Sequence, residues 1–152
     1  MVREVEIQDT FTVFFADVEP RLRHALCASY GIERGLEASA HALAYGWEHW
    51  ERVQEMPNPA GYLWGVGRSH ARRIRPPTLI YPESSVEQMP MVEPGLPSGL
   101  ARLPERQRIA VVLVHGLGWT YADTANLLGV SRSTIQTNAE RGLAKLKKHI
   151  GV

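Results

Sequence analysis

The sequence predicts an all-α protein made of two small helical domains joined by a proline-rich linker. Apolar residues recur every three or four positions in both halves of the chain, and no segment alternates polar and apolar residues as a strand does. Six of the ten prolines lie between Pro76 and Pro97, where they exclude a continuous helix. The length of 152 residues, with 44% hydrophobic and 22% charged residues, fits one globular domain or two small ones.

The distribution of prolines and charges divides the chain into three parts. We predict a first domain over residues 1–75, an acidic linker over residues 76–99 and a second domain over residues 100–152. The last part carries eight Lys and Arg against three acidic residues, whereas the linker has three Glu and no cation. A small basic unit behind an acidic connector indicates a nucleic-acid module, and the alternative is a solvated helix face. Because both blocks are small, we expect mutual packing or a partner to stabilise them.

Several classes of protein are disfavoured by the sequence. No apolar run approaches the roughly 18 residues needed to cross a bilayer, and the acidic start MVREVEIQDT is unlike a signal peptide. Because Cys27 is the only cysteine, no internal disulfide can form, and we expect a cytoplasmic protein. The six histidines lack metal-ligand spacing, and no triad or paired-carboxylate pattern is present. We therefore expect no metal, no cofactor, no catalytic residue and no enzymatic activity.

Three helices are predicted in the N-terminal block. The first follows an apolar pattern that resumes beyond Pro20 and includes Phe11, Phe14, Phe15, Val18 and Leu22. A second helix, over about residues 34–54, has apolar residues along one side: Leu36, Leu43, Trp47 and Trp50. The third, over about residues 59–73, directs three residues inward: Tyr62, Leu63 and Val66. We expect Trp47 and Trp50 in the core, and Trp64 either in the core or on a stacking surface.

The C-terminal block has the pattern of a helix-turn-helix. Pro104 and Glu105 suit the first turn of a helix whose apolar stripe is Ile109, Val112, Leu113 and Leu117. Thr120 is a good N-cap for a short helix, Gly129 lies in the following turn, and Ser131 is the N-cap of the last helix. The last helix buries residues at spacings of three and four: Ile135, Ala139, Leu143, Leu146 and Ile150. In a helix-turn-helix the second helix enters the major groove of DNA.

The outward side of that last helix has the residue types that contact DNA. Opposite the apolar stripe lie Ser133, Thr134, Thr137, Glu140, Arg141 and Lys148. Such side chains read base edges or bind phosphates, and the start of a helix favours a phosphate through its amides and dipole. The alternative is the solvated face of a three-helix bundle. The cap, the turn, the polar face and the local positive charge together favour DNA binding.

Much of the chain resembles RNA polymerase sigma factors of the extracytoplasmic-function (ECF) group. Residues 100–148 resemble sigma region four in Leu103-Pro104 with Arg108, in the segment from Gly118 to Gly129, and in a last-helix pattern of Ser131, Thr134, Ile135, Arg141, Gly142 and Leu146. The N-terminal block resembles region two more weakly, through WEHW and NPAGYLWGVGRSHARR. The proline-rich linker is similar to the connector that ECF factors have in place of region three.

The resemblance implies function, partners and site residues. The second domain would recognise the minus-thirty-five promoter element in the major groove through Arg132, Ser133, Thr134, Gln136, Thr137, Glu140, Arg141, Lys145 and Lys148. The first domain would open the minus-ten element through Met56, Asn58, Trp64, Arg68, Arg72 and Arg73. It would dock on polymerase through Glu37, Ala40, His41 and Tyr45. The implied partners are promoter DNA, the beta-prime clamp helices and beta flap of core RNA polymerase, and an anti-sigma factor, without a membrane.

The sequence departs from the family at the docking patch. The family carries an Asp-Leu-Val-Gln-like patch, and Glu37, Ala38, Ser39 and Ala40 occupy the matching positions here. A methyl group thus replaces the glutamine amide, and the apolar pair is smaller. Two alternatives to a working sigma factor follow: a sigma-like DNA-binding regulator with weakened or lost polymerase docking, and a protein-interaction module. The basic face of the last helix argues against the module.

Overall fold

The computed structural model describes residues 2–74 and 95–152, which form α-helices, one π-helical segment and no strand. The N-terminal block contains α1 (Val2–Tyr30), α2 (Ile32–Glu48), α3 (Trp50–Val53) and α4 (Pro59–Ile74). The C-terminal block contains α5 (Leu96–Arg102), α6 (Glu105–Ala110), the π-helical segment Val111–Gly116, α7 (Tyr121–Leu128) and α8 (Arg132–Ile150). The all-α prediction is confirmed. Within these ranges no helix is both long and apolar enough to span a membrane.

The predicted linker overlaps the structure only at its end. Most of residues 76–99 lie outside the described residues. The last four residues of the predicted linker are helical, since α5 begins at Leu96 and has a proline in its first turn. Proline fits there because the first amides of a helix have no intrahelical partner.

The first helix is continuous through Pro20. All of its buried residues lie from Val18 onward, including Leu22 and Leu26, whereas most of the first fifteen residues are exposed. A proline inside a helix removes one backbone hydrogen bond. Burial of Val18 and Leu22 on both sides of Pro20 stabilises the helix across that position.

The second helix buries its small residues instead of its large ones. Leu36 is 46% exposed and Trp47 is 48% exposed, so the prediction of a large apolar stripe and of a core Trp47 is wrong. The buried side of α2 consists of Arg34, Gly35, Ala38, Ser39, Ala42, Leu43 and Gly46. These residues let α2 approach its neighbours closely, since a Cβ added at Gly46 would overlap the side chain of Leu63. The helix also ends at Glu48, and α3 forms a separate turn.

Tryptophans at two other positions lie in the core. Trp50 is buried as predicted, and its indole Nε1 donates a hydrogen bond to Thr10 Oγ1 at 2.8 Å. Trp64 is 4% exposed, which settles the open choice in favour of the core. On the same helix α4, Leu63 is fully buried and Val66 half-buried, whereas Tyr62 is 37% exposed, contrary to the prediction.

The two blocks share one hydrophobic core across the described residues. Ile109, Leu113 and Leu127 of the C-terminal block are buried in the same cluster as Leu26 and Leu63 of the N-terminal block. The π-helical segment widens the helix after α6, and Leu117 therefore lies outside the predicted apolar stripe and is exposed. The mutual packing of the blocks agrees with their small size. The division into independent domains stays a prediction.

Candidate nucleic-acid interface

The helix-turn-helix has the local geometry that the sequence predicts. Thr120 Oγ1 accepts a hydrogen bond from the Asp123 amide at 3.0 Å, and Ser131 Oγ accepts one from the Thr134 amide at 3.1 Å. Each side chain thus satisfies an amide that would otherwise lack a partner at the helix start. Gly129 ends α7 with a φ of 70°, a left-handed conformation that suits glycine. Both predicted caps and the predicted turn are confirmed.

The body of α8 packs closely on the rest of the C-terminal block. Ile135 and Ala139 are buried with Ala110 and Ala125, so α8 lies against both α6 and α7. A Cβ added at Gly142 would overlap Val111 and crowd the backbone of Gln107. This close approach fixes which side of α8 faces the block and which side faces solvent.

All nine residues predicted to contact the minus-thirty-five element are exposed on α8: Arg132, Ser133, Thr134, Gln136, Thr137, Glu140, Arg141, Lys145 and Lys148. Within residues 2–74 and 95–152, no carboxylate forms an ion pair with any of the four cations in this set. Glu140 accepts a hydrogen bond from Gln136 Nε2 at 3.0 Å, one turn earlier. We call this surface the α8 face. It presents unpaired positive charge beside hydrogen-bonding groups, which is what a DNA groove and its phosphates require.

The residues predicted for the minus-ten element are placed very differently from one another. Trp64 is buried and is not available for stacking on a base. Met56 is half-buried against the main core. Arg73 is exposed, and its Nε donates to the backbone oxygen of Ser69 at 3.2 Å. The remaining residues, Asn58, Arg68 and Arg72, contact the C-terminal block.

Glu105 at the start of α6 is the partner of two of these residues. Arg68 Nε lies 3.1 Å from Glu105 Oε1, and Arg72 Nη2 lies 2.9 Å from Glu105 Oε2. The hydroxyl of Tyr30 also donates to Oε1 at 2.9 Å. We call these four residues the Glu105 cluster. The sequence predicted Glu105 as a helix-start acid, and nothing local indicated its distant partners.

The ionisation of the Glu105 cluster follows from its contacts. Burial alone would raise the pKa of Glu105, but the hydrogen bonds from Arg72 and Tyr30 and the charges of Arg72 and Arg68 outweigh burial and lower it. Burial and the adjacent Glu105 carboxylate raise the pKa of Tyr30 to about 12. Glu105 is therefore a carboxylate and Tyr30 a neutral hydroxyl donor at neutral pH.

Further polar contacts cross between the blocks away from Glu105. The side-chain amide of Asn58 donates to the backbone oxygen of Asn126 in α7 at 2.5 Å. Arg108 Nη2 donates to the backbone oxygen of Ser29 at the end of α1 at 3.1 Å. The loop before α4, which the resemblance assigns to the minus-ten element, thus lies against the first helix of the helix-turn-helix.

The predicted docking residues lie along one side of α2. Glu37, Ala40 and His41 are exposed, whereas Tyr45 is half-buried and its hydroxyl accepts a hydrogen bond from Arg52 at 2.6 Å. His41 stacks on His70 at a ring distance of 3.8 Å, and burial together with the His70 charge lowers the pKa of His41. Ala38 and Ser39, the middle of the matched patch, are buried. Of the four residues of the matched patch, only Glu37 and Ala40 therefore face solvent.

A groove beside Ala40 was not predicted from the sequence. It has a volume of about 430 Å³, and its lining includes Phe11, Phe15, Leu36 and Trp47. The sequence gives no signal for it, because helical periodicity does not indicate which side of α2 is packed. Among the residues that the structure describes, no group of three or more His, Cys, Asp or Glu is arranged to hold a metal ion.

Comparison with known proteins identifies relatives of both the sequence and the fold. Residues 96–146 match the family model described as sigma-70, region 4. The chain is 33% identical over 84 residues to the ECF RNA polymerase sigma factor SigM from two strains of Mycobacterium tuberculosis. That match covers 55% of this chain and 43% of SigM, so the chain spans less than half the length of these relatives.

A solved structure has the same fold over almost the whole chain. It is the sigma factor RpoE, determined in complex with the anti-sigma factor NepR from Bartonella quintana. The likeness has a TM-score of 0.63 at 20% identity and covers 94% of this chain and 98% of RpoE. At that identity it establishes the fold alone. Residues 96–146 are thus similar to sigma-70 region 4, and a stretch of 84 residues is similar to an RNA polymerase sigma factor of the ECF type.

Proposed function

We propose that this chain directs RNA polymerase to promoters, with the α8 face recognising the minus-thirty-five element as duplex DNA. The observation that carries the proposal is the capped helix-turn-helix with four exposed cations, none of which pairs with a carboxylate among residues 2–74 and 95–152. The N-terminal block would bind core polymerase through α2 and open the minus-ten element with residues of α4 and its preceding loop. Transcription initiation by purified chain and core polymerase on a promoter library tests the whole proposal.

Arg141→Ala is expected to weaken duplex binding by the full chain about fivefold, whatever the DNA sequence. The guanidinium is exposed on the α8 face and pairs with no carboxylate in the described part of the chain, so its loss removes one phosphate contact. The slope of log affinity against log salt concentration should fall by about one unit. Titration of labelled duplex at several salt concentrations measures both quantities.

The matched control for Arg141→Ala is Arg3→Ala, which removes an equally positive and highly exposed side chain at the start of α1. It should leave both affinity and slope close to wild type. Equal effects of the two substitutions would mean that Arg141 acts only through net charge and that the α8 face is not the DNA interface.

Docking on polymerase is proposed for the exposed side of α2. Ala40 stands where the family has glutamine, and its exposure leaves room for a longer side chain. Ala40→Gln should therefore raise affinity for core polymerase about three- to tenfold, because a side-chain amide adds roughly one hydrogen bond. The melting temperature should stay unchanged, since Ala40 is exposed.

Ala16→Gln is the control for the docking substitution, because Ala16 is exposed on α1 and lies outside the exposed side of α2. It should not change affinity for core polymerase. Tight binding by the wild-type chain with no gain from Ala40→Gln would show that polymerase docks elsewhere.

A second candidate function is a sigma-like regulator that binds promoter DNA without initiating transcription. Burial of Ser39 and the methyl group of Ala40 favour it, because together they leave few side-chain groups to replace the family's docking contacts. The initiation experiment separates the two functions. DNA binding without transcripts, together with no capture of core polymerase, would support the regulator.

A further inference from the structure

We propose that the C-terminal block closes over the N-terminal block as an autoinhibitory contact, in which Glu105 occupies the two arginines that single-stranded DNA needs. The inference rests on the proposed function, because it concerns the α4 residues assigned to the minus-ten element. Its central observation is the Glu105 cluster, where one carboxylate binds Arg68 through Oε1 and Arg72 through Oε2. The two competing ligands of this pair are thus a protein carboxylate and a DNA phosphate.

The carboxylate is a good substitute for a phosphate at this place. Both groups offer several anionic oxygens to a guanidinium, and charge-assisted hydrogen bonds of this kind are among the strongest in proteins. Both Glu105 oxygens are used, and Tyr30 donates to one of them, so the carboxylate is held in place from three directions. A phosphate can approach Arg68 and Arg72 along the same directions only when Glu105 has moved away.

The loop before α4 is occupied in the same way. Asn58 is bound to the backbone of α7, and a Cβ added at Gly61 would crowd the backbone oxygen of Leu127. The side-chain amide of Asn58 therefore faces protein. The C-terminal block contacts both the arginine pair and Asn58. We therefore assign the block of DNA binding to the whole contact between the two blocks, and its electrostatic part to Glu105.

The contact is built to be reversible. Its polar part consists of half-exposed ion pairs, which high salt and competing anions weaken. Its apolar part includes Ile109 and Leu127, and burial of these side chains stabilises the closed form when no ligand is bound. Meanwhile the α8 face stays exposed in the closed form. Duplex recognition is thus available at all times, whereas single-strand binding requires the blocks to separate.

Separation of the two blocks is expected to control apparent affinity. A ligand that binds only the open form has its affinity reduced by the fraction of open molecules. Weakening the Glu105 cluster raises that fraction and strengthens single-strand binding without any new contact. By reciprocity, single-stranded DNA must itself favour the open form.

Three substitutions in the full chain test the proposal. Glu105→Gln removes the carboxylate charge, and Tyr30→Phe removes one hydrogen bond from the cluster at almost constant shape. Glu19→Gln is the control: it makes the same change in net charge by removing a half-buried acid that pairs with Arg23 within α1 at 2.9 Å. Affinity is measured by fluorescence anisotropy with labelled oligothymidine, and the radius of gyration by small-angle X-ray scattering.

We expect Glu105→Gln to bind oligothymidine about tenfold more tightly than Glu19→Gln does, with a larger radius of gyration. Tyr30→Phe should also raise the affinity for oligothymidine and the radius of gyration, but by smaller amounts. This variant still tests the proposal if Glu105→Gln does not fold. Duplex affinity through the α8 face should be the same in Glu105→Gln and Glu19→Gln. Oligothymidine should also enlarge the wild-type chain.

Two results would overturn the proposal. One is equal oligothymidine affinity in Glu105→Gln, Tyr30→Phe and Glu19→Gln. The other is a larger radius of gyration without tighter binding, which would show that the blocks separate but do not cover a nucleic-acid site. Neither result bears on promoter-directed initiation, which the transcription assay with core polymerase decides separately.

Discussion

Leu127→Ala is expected to lower the free energy of unfolding by about 2–5 kcal/mol. The side chain is 1% exposed, and although it belongs to α7 it lies in the core that the N-terminal block forms around Leu26 and Leu63. Truncation removes buried apolar surface and leaves a cavity between the blocks. Chemical denaturation followed by circular dichroism measures the loss, and a single cooperative transition is expected.

The comparison for this substitution is Leu117→Ala, because Leu117 is 47% exposed at the end of the π-helical segment. Its cost should stay within about 0.5 kcal/mol. If Leu127→Ala costs no more than Leu117→Ala, or if the wild-type chain unfolds in two separate steps, the blocks do not share a core in solution. The closed arrangement would then have no apolar support.

The C-terminal block was largely predictable because its signals are local. Thr120 and Ser131 each cap a helix through an amide three residues away, and Gly129 adopts the left-handed turn that favours glycine. Such contacts depend only on neighbours in sequence. Six of the nine residues of the α8 face followed from the helical period once the cap had fixed where α8 begins, and the resemblance added Arg132, Gln136 and Lys145.

The N-terminal block was predicted less well because close packing reverses a usual preference. The pattern placed Leu36 and Trp47 in the core, on the rule that large apolar residues are buried. In α2 the buried side is small because other helices approach it closely, so the large residues face outward. A single sequence does not indicate which of two stripes another helix will cover.

The sequence identified the residues assigned to the minus-ten element, but it did not indicate which residues of the C-terminal block contact them. Arg68 and Arg72 meet Glu105 across 37 and 33 residues of sequence, and Asn58 meets α7 across 68. Contacts at such separation depend on how the two blocks dock, which helical periodicity does not encode. The sequence thus indicated the chemistry of α4 but not its occupation by the C-terminal block.

The close approach of α1 and α2 predicts a large effect at Gly35. A Cβ there would overlap the backbone Cα and N of Cys27, and backbone atoms cannot move aside as the end of a flexible side chain can. Gly35→Ala should therefore cost about 1–3 kcal/mol or more, because the helices must separate. In a helix without this constraint the same substitution stabilises, since glycine is the poorer helix former.

Gly65→Ala provides that unconstrained case within the same chain. Gly65 lies inside α4, and a Cβ at this position would meet no atom of the described residues within 4 Å beyond its own stretch of helix. It should raise the free energy of unfolding by up to about 1 kcal/mol. Thermal and urea unfolding should thus show that glycine-to-alanine substitution lowers the free energy of unfolding at Gly35 and raises it at Gly65. If Gly35→Ala stabilises the chain, α1 and α2 do not pack at this distance.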